Sequence, residues 1–241
     1  MNRSLRHQSN DRCKRWLIRG ILIIFGKRIL SVEGWHWLDS VSDPFLIAIN
    51  HSQRLEALLL PTLLFWYREG RLIHFLADWN FILNPIVAFG YWKGEVIPVT
   101  RKPARPRILS GLRSWVVSTP HGYDRARKHL QAGRSVGIFP EGTTNRQTDR
   151  MLTGHTGAAR LSLEAECPVI PVGIRFPKAK ERGWVSPWDR MQVSIGPPLH
   201  PPPSSTPAPS AEVKSWHEEI MRAISVQSGK SWSPRAISPR H

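Results

Sequence analysis

Phe45-Leu-Ile-Ala-Ile-Asn50-His51-Ser-Gln-Arg-Leu-Glu56 opens on five apolar residues held between Asp43-Pro44 and Asn50, then runs Leu-rich to Tyr67. The short apolar run reads as a buried strand, and Gln53–Tyr67 as a helix that Pro61 should bend. Working outward, the same alternation repeats. Leu72-Ile-His-Phe-Leu is a second strand, Phe81 to Phe89 an apolar short helix, and Glu95-Val-Ile-Pro-Val a third strand. Tyr123 to Leu130 has helical spacing with Gly133 as its stop, and Ser135-Val-Gly-Ile-Phe is a fourth strand. Gly157 to Glu166 reads as a helix, Val169 to Ile174 as a fifth strand and Met191 to Ile195 as a sixth. Strands alternating with helices predict an α/β fold: a single domain with a mostly parallel mixed sheet flanked by helices.

The two ends differ from this middle. Residues 1–30 predict a basic segment whose helix, from about Cys13 to Leu30, carries Trp16, Leu17, Ile21, Ile24, Phe25 and Ile29 beside Lys14, Arg15, Arg19, Lys27 and Arg28. Such a helix suits the headgroup region of an anionic membrane, and equally a terminal helix packed on the domain. Its apolar core, Gly20 to Gly26, is far short of the roughly 18–20 residues a spanning helix needs. After the domain, placed at 31–196, Pro197 to Ser210 holds seven prolines in fourteen residues and reads as an extended arm. Within 197–241 a late helix with Val213, Trp216, Ile220 and Ile224 on one stripe follows, and then a basic tail expected to be disordered.

Length and charge narrow the class of function. The 241 residues are 41% hydrophobic and 22% charged, ordinary globular usage that excludes a disordered basic protein. The net charge of +16 predicts a polyanionic partner: nucleic acid, an anionic membrane surface or a phosphorylated substrate. Two cysteines, Cys13 and Cys167, are too few for a disulfide framework or a cysteine-rich metal site, and no cluster has metal-ligand spacing. No Cys/His finger, RNP-like aromatic block or recognition helix supports nucleic-acid binding.

Three groups of residues able to do chemistry sit where predicted strands end, the place where ligands collect in open α/β sheets. In Asn50-His51-Ser52-Gln53-Arg54-Leu55-Glu56, an acid follows a histidine by five residues. Inside one helix the two would lie roughly 140° apart. They meet only if His51 occupies the strand-to-helix turn and Glu56 reaches back from the first helical turn. Glu56 would then fix the imidazole tautomer and leave the other nitrogen free to take a proton from a hydroxyl. Such a spacing is common by chance, and alone it says little. In Phe139-Pro140-Glu141-Gly142-Thr143-Thr144-Asn145, a strand enters a turn that offers N–H groups and hydroxyls beside a carboxylate, with Gly142 permitting close approach. Gly94 to Arg101 delivers a cation to a strand end, where Arg101 can clamp phosphate through its planar fork. Lys102, Arg105 and Arg107 read as a solvated or lipid-facing run.

Together these blocks resemble the 1-acylglycerol-3-phosphate acyltransferase family of glycerolipid acyltransferases. The family shows N-H-x-x-x-x-D, a G-x-I-x-x-x-R block, F-P-E-G-T-R-S and a V-P-V-type block in that order. This chain offers Asn50-His51 with Glu56, Gly94–Arg101, Phe139–Thr143 and Val169-Ile-Pro-Val172, with Thr156-Gly-Ala-Ala-Arg-Leu between the last two. The resemblance covers about residues 30–195, and the order and spacing of four blocks carry it. Two positions depart from the pattern. Glu56 stands for the usual aspartate, and Thr144 for the arginine after E-G-T, with the next arginine at Arg146. The latter puts recognition of a glycerol phosphate headgroup in question.

The resemblance implies transfer of a fatty acyl group from acyl-CoA or an acyl carrier protein to a lysophospholipid hydroxyl. His51 would be the general base, Glu56 its orienting acid, and backbone amides near the His51 turn a support for the oxyanion. Glu141, Gly142 and Thr143 would lie in the acceptor site, with Arg101 on its phosphate. It implies no cofactor beyond the thioester donor and no metal. The expected partners are an anionic membrane surface and a lysophospholipid, not nucleic acid, and the expected location is peripheral or monotopic on the cytoplasmic face of a membrane. A non-catalytic lipid-binding relative is the principal alternative, supported by the changes at Glu56 and Thr144.

Overall fold

The computed structural model describes residues 16, 18–78, 95–99 and 122–235. Seven strands form one sheet: β1 (Ile29–Glu33), β2 (Leu46–Ile49), β3 (His74–Asp78), β4 (Ile97–Val99), β5 (Val136–Ile138), β6 (Val169–Arg175) and β7 (Met191–Ile195). Their spatial order is β1-β7-β6-β2-β5-β3-β4. Only β6 and β7 pair antiparallel, so β1 and β7 run against the other five strands. Among the described residues six α-helices flank the sheet: α1 (residues 18–25), α2 (Trp35–Asp39), α3 (Glu56–Tyr67), α4 (Gly122–Gln131), α5 (Gly157–Ala165) and α6 (Ser210–Ser228).

The central strand shows why the apolar run at 45–49 is unbroken. Ile47 and Ile49 enter the core on one face of the sheet, with Leu59, Leu60 and Leu64 of α3. Leu46 and Ala48 enter the other, with Leu161 and Leu163 of α5 and Trp216, Ile220 and Ile224 of α6. A strand covered on both faces has no polar side, so alternation disappears from its sequence. Each buried Leu or Ile among these contributes about 1.5–3 kcal/mol by leaving water. The connections after β2 and β5 therefore cover opposite faces, while β2 and β5 lie side by side. That adjacency brings the turns that follow these strands together.

Three expectations need correction. The helix expected to run from Cys13 to Leu30 ends at Phe25, after which Gly26–Arg28 forms a 3₁₀ turn and Ile29–Glu33 becomes an edge strand parallel to β7. The approach to β7 captures this stretch: the Arg190 side chain donates to the Lys27 carbonyl (3.0 Å), and Arg28 to that of Trp188. Tertiary pairing there overrides helical spacing. The helix expected from Gln53 starts instead at Glu56, because the amides of Ser52 and Gln53 donate to the Glu56 carboxylate. It then continues through Pro61. Thirdly, α6 closes one face of the sheet, and the described part of the basic tail, residues 229–235, is held against the domain. Met151 N–H donates to the Ser231 carbonyl (2.9 Å), and Ser231 N–H to that of Asp149 (2.8 Å). The helix expected at Phe81–Phe89 lies outside the described residues.

Candidate active site

The site forms at the carboxyl ends of β2 and β5. Asn50, fully buried, fixes the first of them: Ile174 N–H donates to its Oδ1 (2.6 Å), and its Nδ2 donates back to the Ile174 carbonyl (3.2 Å). This two-point amide bond locks the end of β2 to β6, so His51 leaves the sheet from a defined position. His51 lies in the turn, and Glu56 is the first residue of α3. The His51 Nδ1 is 2.7 Å from Glu56 Oε1, with 15% of the histidine side chain exposed and none of the glutamate. A carboxylate that also accepts from Ser52 N–H and Gln53 N–H (3.1 Å) can only accept, so Nδ1 carries the proton and Nε2 presents a bare lone pair. Phe139 packs on the imidazole, its ring centroid 4.6 Å away.

The second wall is the turn after β5. Gly142 has φ 66°, a conformation strained for any other residue, and a Cβ there would lie 2.6 Å from Cδ2 of His155. Thr144 turns its hydroxyl toward the reactive nitrogen, with Oγ1 3.4 Å from His51 Nε2. Thr143 is half-buried in the same turn, and Arg146 is exposed just beyond it. The residue standing in place of the family arginine thus faces the base. Arg101, with Lys102, Arg105 and Arg107, lies outside the described residues.

Glu141 is placed differently from what an acceptor-contacting role requires. It is buried, and protein donors take both its oxygens: His51 N–H on Oε1 (3.0 Å), Asn145 Nδ2 and Leu152 N–H on Oε2 (2.9 Å each). Its carboxylate ties the His51 turn to the 140–152 loop. Burial pushes its pKa up, while those three donors and the nearby Lys230 oppose the rise. The amides of the His51 turn are likewise committed. Those of His51, Ser52 and Gln53 all point at carboxylates, so they are not free for an oxyanion. The expectation for these amides is corrected by the need of two buried acids for donors.

Two residues the sequence did not single out complete the arrangement. Asn145, quoted only as the end of a motif, donates its backbone N–H to the His51 carbonyl (2.7 Å) and its amide to Glu141 and to the Arg150 carbonyl (2.8 Å). Lys230 reaches in from beyond α6, 4% exposed, and its Nζ donates to Ser52 Oγ (2.7 Å) and to the Gln147 carbonyl (2.6 Å). Burial lowers its pKa, and Glu141, Glu56 and Asp149 counter that in turn. A single lysine in a basic tail carries no signal that would distinguish it. No group of His, Cys, Asp and Glu able to hold a metal occurs among the described residues.

An imidazole held through Nδ1 by a buried carboxylate, its other nitrogen left to a hydroxyl at 3.4 Å, is the equipment of an enzyme that activates a hydroxyl. Residues 29–175 match the family model described as Acyltransferase, and the chain belongs to that family: it is an O-acyltransferase. It is 27% identical over 227 residues to the 1-acyl-sn-glycerol-3-phosphate acyltransferase alpha of Bos taurus, covering 91% of this chain and 72% of that one. To the 1-acyl-sn-glycerol-3-phosphate acyltransferase of Bacillus subtilis it is 24% identical over 183 residues, 76% of each chain. The fold is that of the crystal structure of the 1-acyl-sn-glycerophosphate acyltransferase PlsC from Thermotoga maritima, with a TM-score of 0.58 at 20% identity over 92% of this chain and 83% of that one.

Proposed function

We propose that the chain moves a fatty acyl group from a thioester donor, acyl-CoA or an acyl carrier protein, to the free hydroxyl of a lysophospholipid such as 1-acylglycerol-3-phosphate. The observation that carries the chemistry is the His51–Glu56 pair, which leaves Nε2 free of any buried acid. The names of the relatives support the acceptor class. His51 Nε2 takes the hydroxyl proton as the oxygen attacks the thioester carbonyl, and Glu56 stabilises the imidazolium so formed. The tetrahedral intermediate collapses with cleavage of the C–S bond, and the imidazolium returns the proton to the leaving thiolate. A base so placed contributes about 10²–10⁴-fold. The N–H groups of Thr143 and Thr144 have no protein acceptor among the described residues and lie in the turn facing Nε2, which suits them to the oxyanion. Arg101 is the residue proposed for the acceptor phosphate, and no cofactor is required.

Both substrates are amphiphiles, and the surface of the protein suits work at a lipid interface. Trp16, Ile23, Ile24 and Trp66 are exposed, and Arg19, Leu22, Ile23 and Trp66 line an open groove between α1 and α3. With Arg19 and Lys27 beside them, these residues fit peripheral binding to an anionic leaflet. Among the described residues no helix is long and apolar enough to cross a membrane.

The test is incubation of the purified chain with mixed acyl-CoA donors and a lysophospholipid panel, read by mass spectrometry, beside His51→Ala. Acylation of 1-acylglycerol-3-phosphate that His51→Ala abolishes is the expected result. Preference for a water-soluble acceptor over every lysolipid would overturn the acceptor class, and an active His51→Ala the mechanism.

A further inference from the structure

We infer that Lys230 is a positioning residue of the acyl-transfer site, holding the His51 turn to the Glu141 loop and compensating the two carboxylates buried there. The inference rests on the acyl-transfer reading above and extends it to a residue outside the motif blocks.

The first support is where the ammonium is held. A lysine on a chain of +16 net charge belongs in water, and an ammonium is buried only where partners repay its lost hydration. Lys230 has two, and they lie on the two walls of the site. Ser52 belongs to the turn after β2, and Gln147 to the loop that follows β5. The backbone that carries the lysine is itself fastened. Gly229 caps α6 with φ 66°, and Ser231 exchanges hydrogen bonds with Asp149 and Met151. The side chain therefore enters from a fixed base.

The second support is how the hold reaches the imidazole. Lys230 fixes the Ser52 hydroxyl, the Ser52 amide donates to Glu56 Oε1, and the same oxygen takes the Nδ1 proton of His51. The other oxygen of Glu56 is buried and has no protein donor among the described residues. Its charge is answered by the field of Lys230, which faces Glu56 on α3, Glu141 after β5 and Asp149 in the following loop. Without the ammonium, the two buried acids lose the cation that faces both of them, and the turn loses its tie to the opposite wall. His51 then has no fixed orientation toward the acceptor.

Lys230→Met keeps the length of the side chain and removes its charge, and Lys230→Arg keeps the charge. For each, kcat and KM are measured with the acyl-CoA and lysolipid pair that the wild type uses. The downfield NMR resonance of the His51 Nδ1–H, assigned by its disappearance in His51→Gln, is recorded alongside. For folded Lys230→Met we expect kcat to fall about 10–100-fold with KM nearly unchanged, since orienting groups are typically worth that much. We expect the resonance to be lost or broadened, and Lys230→Arg to recover part of both. Folded Lys230→Met with wild-type kcat and an intact resonance overturns the proposal, as does a wild type that lacks the resonance. If Lys230→Met does not fold, Ser52→Ala takes its place: a weakened resonance supports the chain of contacts, and an unchanged one overturns it. The resonance needs no turnover, so a wild type that shows it yet acylates nothing defeats the acyl-transfer reading and leaves Lys230 to be judged by its spectrum.

Discussion

Buried charge sits at both ends of this sheet, and the two ends use it in opposite ways. At the amino end, before β2 and β5, Arg68 is 5% exposed and donates twice to Asp43, at 2.7 and 2.6 Å, while the Ser135 hydroxyl donates to the same carboxylate. Every strong group there faces a partner within the protein, and the cluster closes on itself. At the carboxyl end Glu56, Glu141 and Lys230 are equally buried, yet none of them takes His51 Nε2, which faces the Thr144 hydroxyl. The first arrangement can only hold the fold together. The second spends its buried charge on holding a single reactive nitrogen in place, met on its outer side by the Thr144 hydroxyl at 3.4 Å and not by a buried acid or cation.

The largest effects should separate the two ends cleanly. His51→Ala should lower kcat about 10²–10⁴-fold, while the midpoint of urea unfolding falls less than in Arg68→Met, because Glu56 keeps the Ser52 and Gln53 amides as donors when the imidazole is lost. Arg68→Met should do the reverse. Removing one partner of a largely buried pair destabilises by about 3–5 kcal/mol, less some screening because Asp43 is a quarter exposed. Turnover per folded molecule should remain. Should Arg68→Met lose activity without losing stability, the division of labour between the two ends would be wrong.

Gly142→Ala comes next, and it tests whether the open end tolerates a change of shape. The backbone at φ 66° and the overlap with His155 both oppose a methyl group. A cost of about 1–2 kcal/mol is expected from the conformation alone. If the turn moves to relieve it, the Thr144 hydroxyl leaves its place beside Nε2. The measurable sign is a fall in kcat beyond what a urea titration explains by the unfolded fraction.

The sequence announced some of this and concealed the rest, for physical reasons. The strands at 46–49, 136–138 and 169–175 are short apolar runs buried in the sheet, and that at 191–195 alternates buried apolar with half-buried polar residues, so burial leaves a plain imprint on composition. The meeting of His51 with Glu56 was readable only once the order of the four motif blocks placed His51 in a strand-to-helix turn, since the five-residue spacing alone is common by chance. β1 was hidden because its residues have helical spacing too, and only the neighbouring β7, far along the chain, decides between the two. Lys230 was hidden more deeply. Its partner Ser52 lies 178 residues away, and contact at that separation leaves no local pattern. Glu141 was read from its motif as a ligand-facing acid, but the donors that surround it come from His51, Asn145 and Leu152, and only folding assembles them.

The smallest expected effect sets the two ends against each other in pH. At the amino end His129 lies beside His74, ring centroids 4.0 Å apart. Burial above all, then the charges of His74, Arg134 and Arg125, lowers its pKa to about 4 from an ordinary 6.5. The unfolded chain therefore takes up a proton near pH 6.5 that the folded chain refuses until about pH 4, so stability held at neutral pH is lost as pH falls through that window. Glu141 at the other end has the opposite sign. Its raised pKa means the fold accepts a proton before the unfolded chain does, which favours the fold on the acid side. His129→Gln removes the first contribution and leaves the second. Urea midpoints between pH 4 and pH 7 should then be flatter in the variant than in the wild type. With the ring half-exposed and partly screened, the difference should be about 1 kcal/mol across the window. A variant whose midpoints fall with pH as steeply as those of the wild type would show that the acid sensitivity of this fold arises elsewhere, and the contrast between a protonation-averse amino end and a proton-tolerant carboxyl end would fail.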